Sequence, residues 1–281
     1  MIIDFHTHVF SPWIKQNRGR YVDRDPNFAL LYADGKARMA TTDELIESMD
    51  KNGVDISVIV NYGWSTHDLC VETNDYILES VARHPRRLIG FGAVQPYAGE
   101  AALAEIERCV SGGIRGIGEL RPDLQMFDLA DRGLMLPLVE RLRQHGLMLM
   151  VHASEPVGHL YPGKGTVYPD MLYPFITTFS DITLICAHWG GGLPFYALMP
   201  EVKKAMDNTY FDTAASPFLY SPDIYGQVSR LVGAGKILFG TDYPLISPAR
   251  YLKEINAAGL SGEEKDLLLG GNALKLLGIG D

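Results

Sequence analysis

His6 and His8 stand two residues apart at the end of the first strand-like run, Met1-Ile-Ile-Asp-Phe-His-Thr-His8. Side chains alternate along a strand, so residues i and i+2 share a face and the two imidazoles converge. Two converging neutral imidazoles begin a site for a divalent transition metal. The pattern alone is common. It gains weight from four more metal-competent side chains, each at the end of an apolar run. Glu119 ends Ile114-Arg-Gly-Ile-Gly-Glu119, and His152 follows Leu147-Met-Leu-Met-Val151. His188 follows Ile182-Thr-Leu-Ile-Cys-Ala187, and Asp242 follows Lys236-Ile-Leu-Phe-Gly-Thr241. Singly, each has an ordinary reading: a core histidine, a helix cap, or an ion-pair partner of Arg115 or Arg121. Jointly, and in strand order, they predict a metal site.

The elements that must position these groups alternate along the chain. Strand-like runs are Ile2–Phe5, Val54–Val60, Leu88–Val94, Ile114–Glu119, Leu147–Val151, Ile182–Cys186, Tyr210–Thr213 and Lys236–Phe239. Most are continuous apolar stretches, as parallel strands buried on both faces require. Helical patterns lie between them. Thr41-Thr-Asp-Glu44 reads as a capping box, and Gly146 closes the pattern over Arg132–His145. Further patterns cover Asn74–His84, Glu100–Ser111, 168–180, 193–207, 222–233, 248–258 and a C-terminal helix over Glu263–Leu277. This order predicts a (β/α)8 TIM barrel with a C-terminal helix, a single domain over residues 1–281. An open doubly wound sheet is the alternative, weakened because no Gly-rich phosphate fingerprint follows the first strand. In a barrel all strand ends open on one face. Two long connections, 9–41 and 153–167, are candidate lids or binding walls.

Composition narrows the function. The chain has 281 residues and a formal net charge of −9, with mean hydropathy +0.01 and pI ≈ 5.4. The acidic balance argues against a nucleic-acid partner, whose footprint is basic. No apolar run is long enough for a membrane span. Cys70, Cys109 and Cys186 show no paired spacing, so reduced, buried thiols and a cytoplasmic setting are expected. With a strand-like run starting at residue 2, no cleavable leader is expected.

The segments Asp4-Phe-His-Thr-His8, Val151-His-Ala153, Ala187-His-Trp-Gly-Gly191, Phe239-Gly-Thr-Asp-Tyr-Pro244 and Gly270-Gly-Asn-Ala-Leu-Lys-Leu-Leu277 carry a resemblance along the whole chain. The sequence resembles the amidohydrolase superfamily, within it the amidohydrolase-related family that includes aminocarboxymuconate-semialdehyde decarboxylase. The resemblance implies a (β/α)8 barrel with a catalytic metal, commonly zinc, and a homodimer. It implies that His6, His8 and Asp242 hold the first metal, with His152 as the ligand from the fifth strand. His188 is implied as an acid/base group in one-metal members, or as a second-metal ligand in binuclear hydrolases. Gly116-Ile-Gly-Glu-Leu120 is similar to the Glu-bearing strand of TatD-like hydrolases, where that carboxylate bridges two metals. Many other members carry a carbamylated lysine there, and this chain has none nearby.

The leading expectation is metal-assisted hydrolysis of a small-molecule amide, ester or lactone. One or two divalent ions, Zn²⁺ before Mn²⁺, would activate water, with Asp242 as general base. The alternative is metal-dependent decarboxylation, or hydration, of a small aromatic-derived carboxylate, with His188 moving protons. Two ions with Glu119 as ligand would favour the first, one ion with Glu119 unligated the second. A structural metal protein fits poorly, since structural zinc sites close with four ligands, often cysteines. Arg121 is a candidate holder of a substrate carboxylate. His159, Lys164 and Tyr243 are further candidate substrate contacts. Trp13 and Trp64 are candidates for an apolar wall.

Overall fold

A computed structural model describes residues 1–279. The eight strands are β1 (Ile3–Thr7), β2 (Ile56–Val60), β3 (Leu88–Gly92), β4 (Gly116–Leu120), β5 (Met148–Val151), β6 (Leu184–Cys186), β7 (Thr209–Asp212) and β8 (Ile237–Leu238). All pair in parallel with their chain neighbours, in the order β1 to β8. Backbone bonds then join the end of the sheet to its start. Phe5 N donates to Phe239 O at 2.7 Å, and Asp242 N donates to His6 O at 2.9 Å. The sheet thereby closes as the (β/α)8 barrel the alternation predicts. The doubly wound alternative is excluded.

Alternation along the strands makes two cores. Ile3, Phe5, Val58, Val60, Phe91, Met150, Ile185 and Leu238 pack together, while a larger layer including Ile117, Leu149, Val151, Leu184 and Phe211 packs on the helices. Two glycines of β4 make room. A Cβ on Gly116 would lie 2.4 Å from the Phe91 ring, and one on Gly118 (φ +133°) would lie 2.2 Å from Met150 O. Only glycine fits where ring and backbone come this close.

The helices follow their local signals. The Thr41/Glu44 capping box forms, with both reciprocal bonds, ahead of the helix Thr42–Asn52. Gly146 takes φ 60° after Arg132–His145. Three readings need correction. The connection 9–41 is not a loop but carries helices Pro12–Gln16, Arg18–Arg24 and Pro26–Tyr32. Ser11 and Asp25 cap the first and third of these, each with proline at the first turn. They bury a cluster of their own, including Phe10, Tyr21, Phe28, Tyr32, Tyr62 and Trp64. The span 193–207 divides into a 3-10 turn, Leu193–Leu198, and a helix, Pro200–Ala205, because Pro200 starts a new helix. The C-terminal helix is interrupted by a π turn at Leu267–Gly271. There the Leu268 carbonyl accepts from Phe239 N at 3.1 Å, which diverts it from the helical ladder. The three cysteines are free and buried. Among the described residues no helix is long and apolar enough to cross a membrane.

Candidate metal centre

The six strand-end side chains meet at the C-terminal mouth of the barrel. His6, His8, Glu119, His152 and His188 are all at most 7% exposed. Two groups of three ligand atoms arise, His6/His8/Glu119 and Glu119/His152/His188, with Glu119 shared. The backbone reaches them at a cost. His188 (φ 53°) and Asp242 (φ 59°) lie in the left-handed region that most side chains avoid. Strain of this kind gathers at functional sites and persists only when the surroundings hold it. Asp212 is one such holder, accepting from His188 N at 2.9 Å and from Ala214 N at 3.0 Å.

Outer hydrogen bonds orient the imidazoles. His6 Nδ1 donates to Asp212 Oδ2 at 2.7 Å, His8 Nδ1 to Val60 O at 3.3 Å, and His188 Nδ1 to Ala214 O at 3.0 Å. Each bond turns Nε2 inward, the arrangement that metal-binding histidines use. His6 Nε2 and His8 Nε2 are 3.1 Å apart. Glu119 Oε2 lies 3.6 and 3.7 Å from them, and Asp242 Oδ1 lies 3.9 and 3.3 Å away. Donors set tetrahedrally about 2.1 Å from one ion would be about 3.4 Å apart. His6 and His8 with Glu119, at 3.1–3.7 Å, and His6 and His8 with Asp242, at 3.1–3.9 Å, each offer three donors at about that spacing. The other group is as closely spaced: His152 Nδ1 lies 2.8 Å from Glu119 Oε1, and His188 Nε2 lies 3.3 Å from it.

Charge balance agrees. Burial lifts Asp242, but the His8 hydrogen bond and the charges of His6, His8 and His188 hold its carboxyl at about 2. Burial also opposes charge on Glu119, yet His152 and His6 keep it well below the usual range. Burial lowers His6 and His188, but Asp212 and Glu119 raise His6 well above its ordinary value, and Glu119 and Asp242 bring His188 to about 9. Burial and the Arg121 guanidinium push His152 down to about 4. The negative charge that raises His6 and His188 is what a divalent cation would neutralise.

Above the cluster lies a cavity of about 460 Å³. Its floor includes His8, Glu119, Arg121, His152, His188 and Asp242, and its walls include Leu31, Tyr32, Tyr62, Phe218 and Leu245. Arg121 is 2% exposed and pairs with Asp123 at 3.3 Å. His159 reaches the mouth beside Tyr161. Lys164 does not line the cavity: it folds onto its own loop, donating to Val157 O at 2.6 Å. Nor does Tyr243, whose hydroxyl turns away to Glu44 O at 3.1 Å. The apolar wall of Trp13 and Trp64 does not form. Trp13 is 55% exposed, and Trp64 is fully buried, stacked on Phe28.

Several site residues escaped the sequence reading. Asp212 ends β7, and a carboxylate at a strand end was the available signal. Asp4 accepts from Thr241 Oγ1 at 2.6 Å and ties β1 to the Asp242 turn; burial pushes its carboxyl up to about 7. Ser154 lies 3.2 Å from His152 Nε2 and accepts from Gly165 N at 2.9 Å. Asp212 and Asp4 meet His6 and Thr241 more than two hundred positions away, so no local pattern announced those two contacts.

Among solved structures, a 5-carboxyvanillate decarboxylase from Sphingomonas paucimobilis superposes with TM-score 0.79 at 19% identity, covering 100% of this chain and 99% of its own. Another from Novosphingobium aromaticivorans, holding manganese and 3-methoxy-4-hydroxy-5-nitrobenzoic acid, gives TM-score 0.81 at 17% identity, covering 99% and 97%. At such identities they establish the fold. A 2-amino-3-carboxymuconate-6-semialdehyde decarboxylase from Dictyostelium discoideum is 26% identical over 99% of this chain and 91% of its own length. Hydrolysis as the leading reaction is therefore corrected, because this full-length relative is a decarboxylase. The physical reason the motifs misled is that one ligand set serves both reactions. The amidohydrolase family model matches residues 3–279, and the chain belongs to that family as an enzyme of the amidohydrolase superfamily.

Proposed function

We propose that the protein is a divalent-metal-dependent, non-oxidative decarboxylase of a small aromatic-derived carboxylate. The observation that carries this reading is the full-length decarboxylase relative, together with a buried centre of imidazole and carboxylate donors at the barrel mouth. His6, His8 and Asp242 would hold the cation, with Glu119 Oε2 next to them. Their mixed imidazole and carboxylate donors suit Zn²⁺ or Mn²⁺. When bound, the cation supplies positive charge that fixes a substrate anion and favours charge developing on it.

The chain's own groups do the rest. Arg121, buried at the cavity floor and aligned by Asp123, binds a carboxylate of the substrate. His188, held by Ala214 O and strained into position, gives a proton to the carbon bearing the departing carboxylate. The carbon–carboxylate bond then breaks, its electron pair restores the conjugated system, and CO2 leaves. His188 recovers a proton from solvent. Glu119 keeps His188 cationic between turnovers. The apolar walls exclude water from the protonated ring before CO2 leaves.

The test is to load the purified protein with Zn²⁺ or Mn²⁺, count ions, and measure CO2 from a panel of hydroxybenzoates and dicarboxylated phenols. About one ion per chain and release of CO2 are expected, with Arg121→Met raising KM about tenfold or more. A loaded protein that releases no CO2 from any member sinks the reading.

A further inference from the structure

Two tyrosines share one wall of the cavity and differ in one respect. Tyr32 and Tyr62 lie edge to face, with ring centroids 6.2 Å apart. The Tyr62 hydroxyl is satisfied, donating to Asn27 O at 2.6 Å. Tyr32 ends the helix Pro26–Tyr32 of the segment inserted after β1, and is 9% exposed. Its ring is fixed by Phe28 at 4.7 Å and Phe10 at 5.1 Å. Among the described residues its hydroxyl has no hydrogen-bond partner, yet it stands within the field of the Asp242 and Glu119 carboxylates. Burial and those charges push its pKa well up, so it remains a neutral donor. The hydroxyl is not sealed within the protein but opens on the cavity. A rigid, unpaired donor lining a cavity beside a ligand cluster is explained by an acceptor on the ligand.

We infer that Tyr32 is a ligand-binding residue whose hydroxyl donates a hydrogen bond to an oxygen of a small carboxylate seated over His6, His8, Glu119 and Asp242. The inference rests on the decarboxylase reading for the identity of that carboxylate. It goes further in giving the inserted helices a part in recognition. Arg121 contributes charge from β4, and Tyr32 contributes a directional donor from the opposite side of the sequence. A ligand without an oxygen there leaves the hydroxyl buried and unpaired, which is how the wall would discriminate.

Tyr32→Phe removes the hydroxyl and keeps the ring. Manganese-loaded full-length wild type and variant are titrated calorimetrically with acetate and with salicylate, and their melting temperatures are measured. The expected result is binding of both anions weakened about tenfold, with Tm unchanged or raised. Tyr62→Phe, which strips Asn27 O of its donor, lowers Tm and serves as the structural comparison. Equal affinities in wild type and Tyr32→Phe overturn the inference and leave the decarboxylase reading standing if CO2 is still released. If wild type binds acetate but not salicylate, and Tyr32→Phe weakens acetate, the inference holds and the aromatic-carboxylate reading fails. A Tm loss in Tyr32→Phe equal to that of Tyr62→Phe, or no binding of either anion by wild type, overturns the inference.

Discussion

The two halves of the barrel mouth carry the same residue types and are built differently. On the β1/β8 side, His6, His8 and Asp242 stand 3.1–3.9 Å apart. On the β4–β6 side, His152 bonds Glu119 at 2.8 Å, with His188 at 3.3 Å. Both halves hold contacts short enough to share a proton, 3.1 Å between His6 and His8 and 2.8 Å between His152 and Glu119. The halves also differ electrostatically. Each holds a lowered carboxyl and a raised imidazole, Asp242 and His6 in the first, Glu119 and His188 in the second, but only the second has an imidazole, His152, that burial and Arg121 push down to about 4. The proposed function assigns the cation to the first half and the transferred proton to His188 in the second.

The sharpest way to break this division is His188→Gln. If His188 only moves protons, kcat falls on the order of 10²–10⁴-fold while metal content per chain stays the same. Parallel turnover and elemental measurements decide it, and a collapse of metal content would make both halves one ligand set. Asp212→Asn tests the other half. Asp212 receives the His6 Nδ1 proton, so the change should weaken metal affinity about 10–100-fold, read by competition with a chelator.

The smallest effect concerns pH in the metal-free protein. His188 is raised to about 9, and His6 is raised too, from an ordinary 6.5. Groups that bind protons more tightly when folded contribute stability that is complete below pH 6.5 and lost as pH rises to about 9. His152, lowered to about 4, does not titrate in that window. The metal-free Tm should therefore fall between pH 6.5 and 9, and added cation should restore it most at the alkaline end, where imidazoles are free of protons. A flat Tm profile would deny the charge that the carboxylates place on His6 and His188.

Much of the scaffold was legible because its signals are local. Apolar runs marked all eight strands, and Thr41/Glu44, Gly146 and Glu100–Ser111 marked helix limits within a turn or less. The helices of 9–41 were less legible, although Ser11-Pro12 and Asp25-Pro26 are start signals. Their helices are short, and their stability comes from packing against Trp64 and Tyr62, far along the chain. Lys164 and Tyr243 were misplaced because neighbours in sequence do not fix where a side chain turns. Tyr243 adjoins Asp242, yet its hydroxyl reaches Glu44 O.

The sequence by itself determined that this chain alternates strands and helices, and that six side chains able to bind a metal stand at strand ends. Period and spacing carry both facts. Only the tertiary structure decided how those six divide, which of them Asp212 orients, and that Tyr32 from a separate insertion faces the same cavity. The reason is physical: distances of 3 Å between residues more than two hundred positions apart, such as His6 and Asp212, are set by barrel closure and by no local pattern.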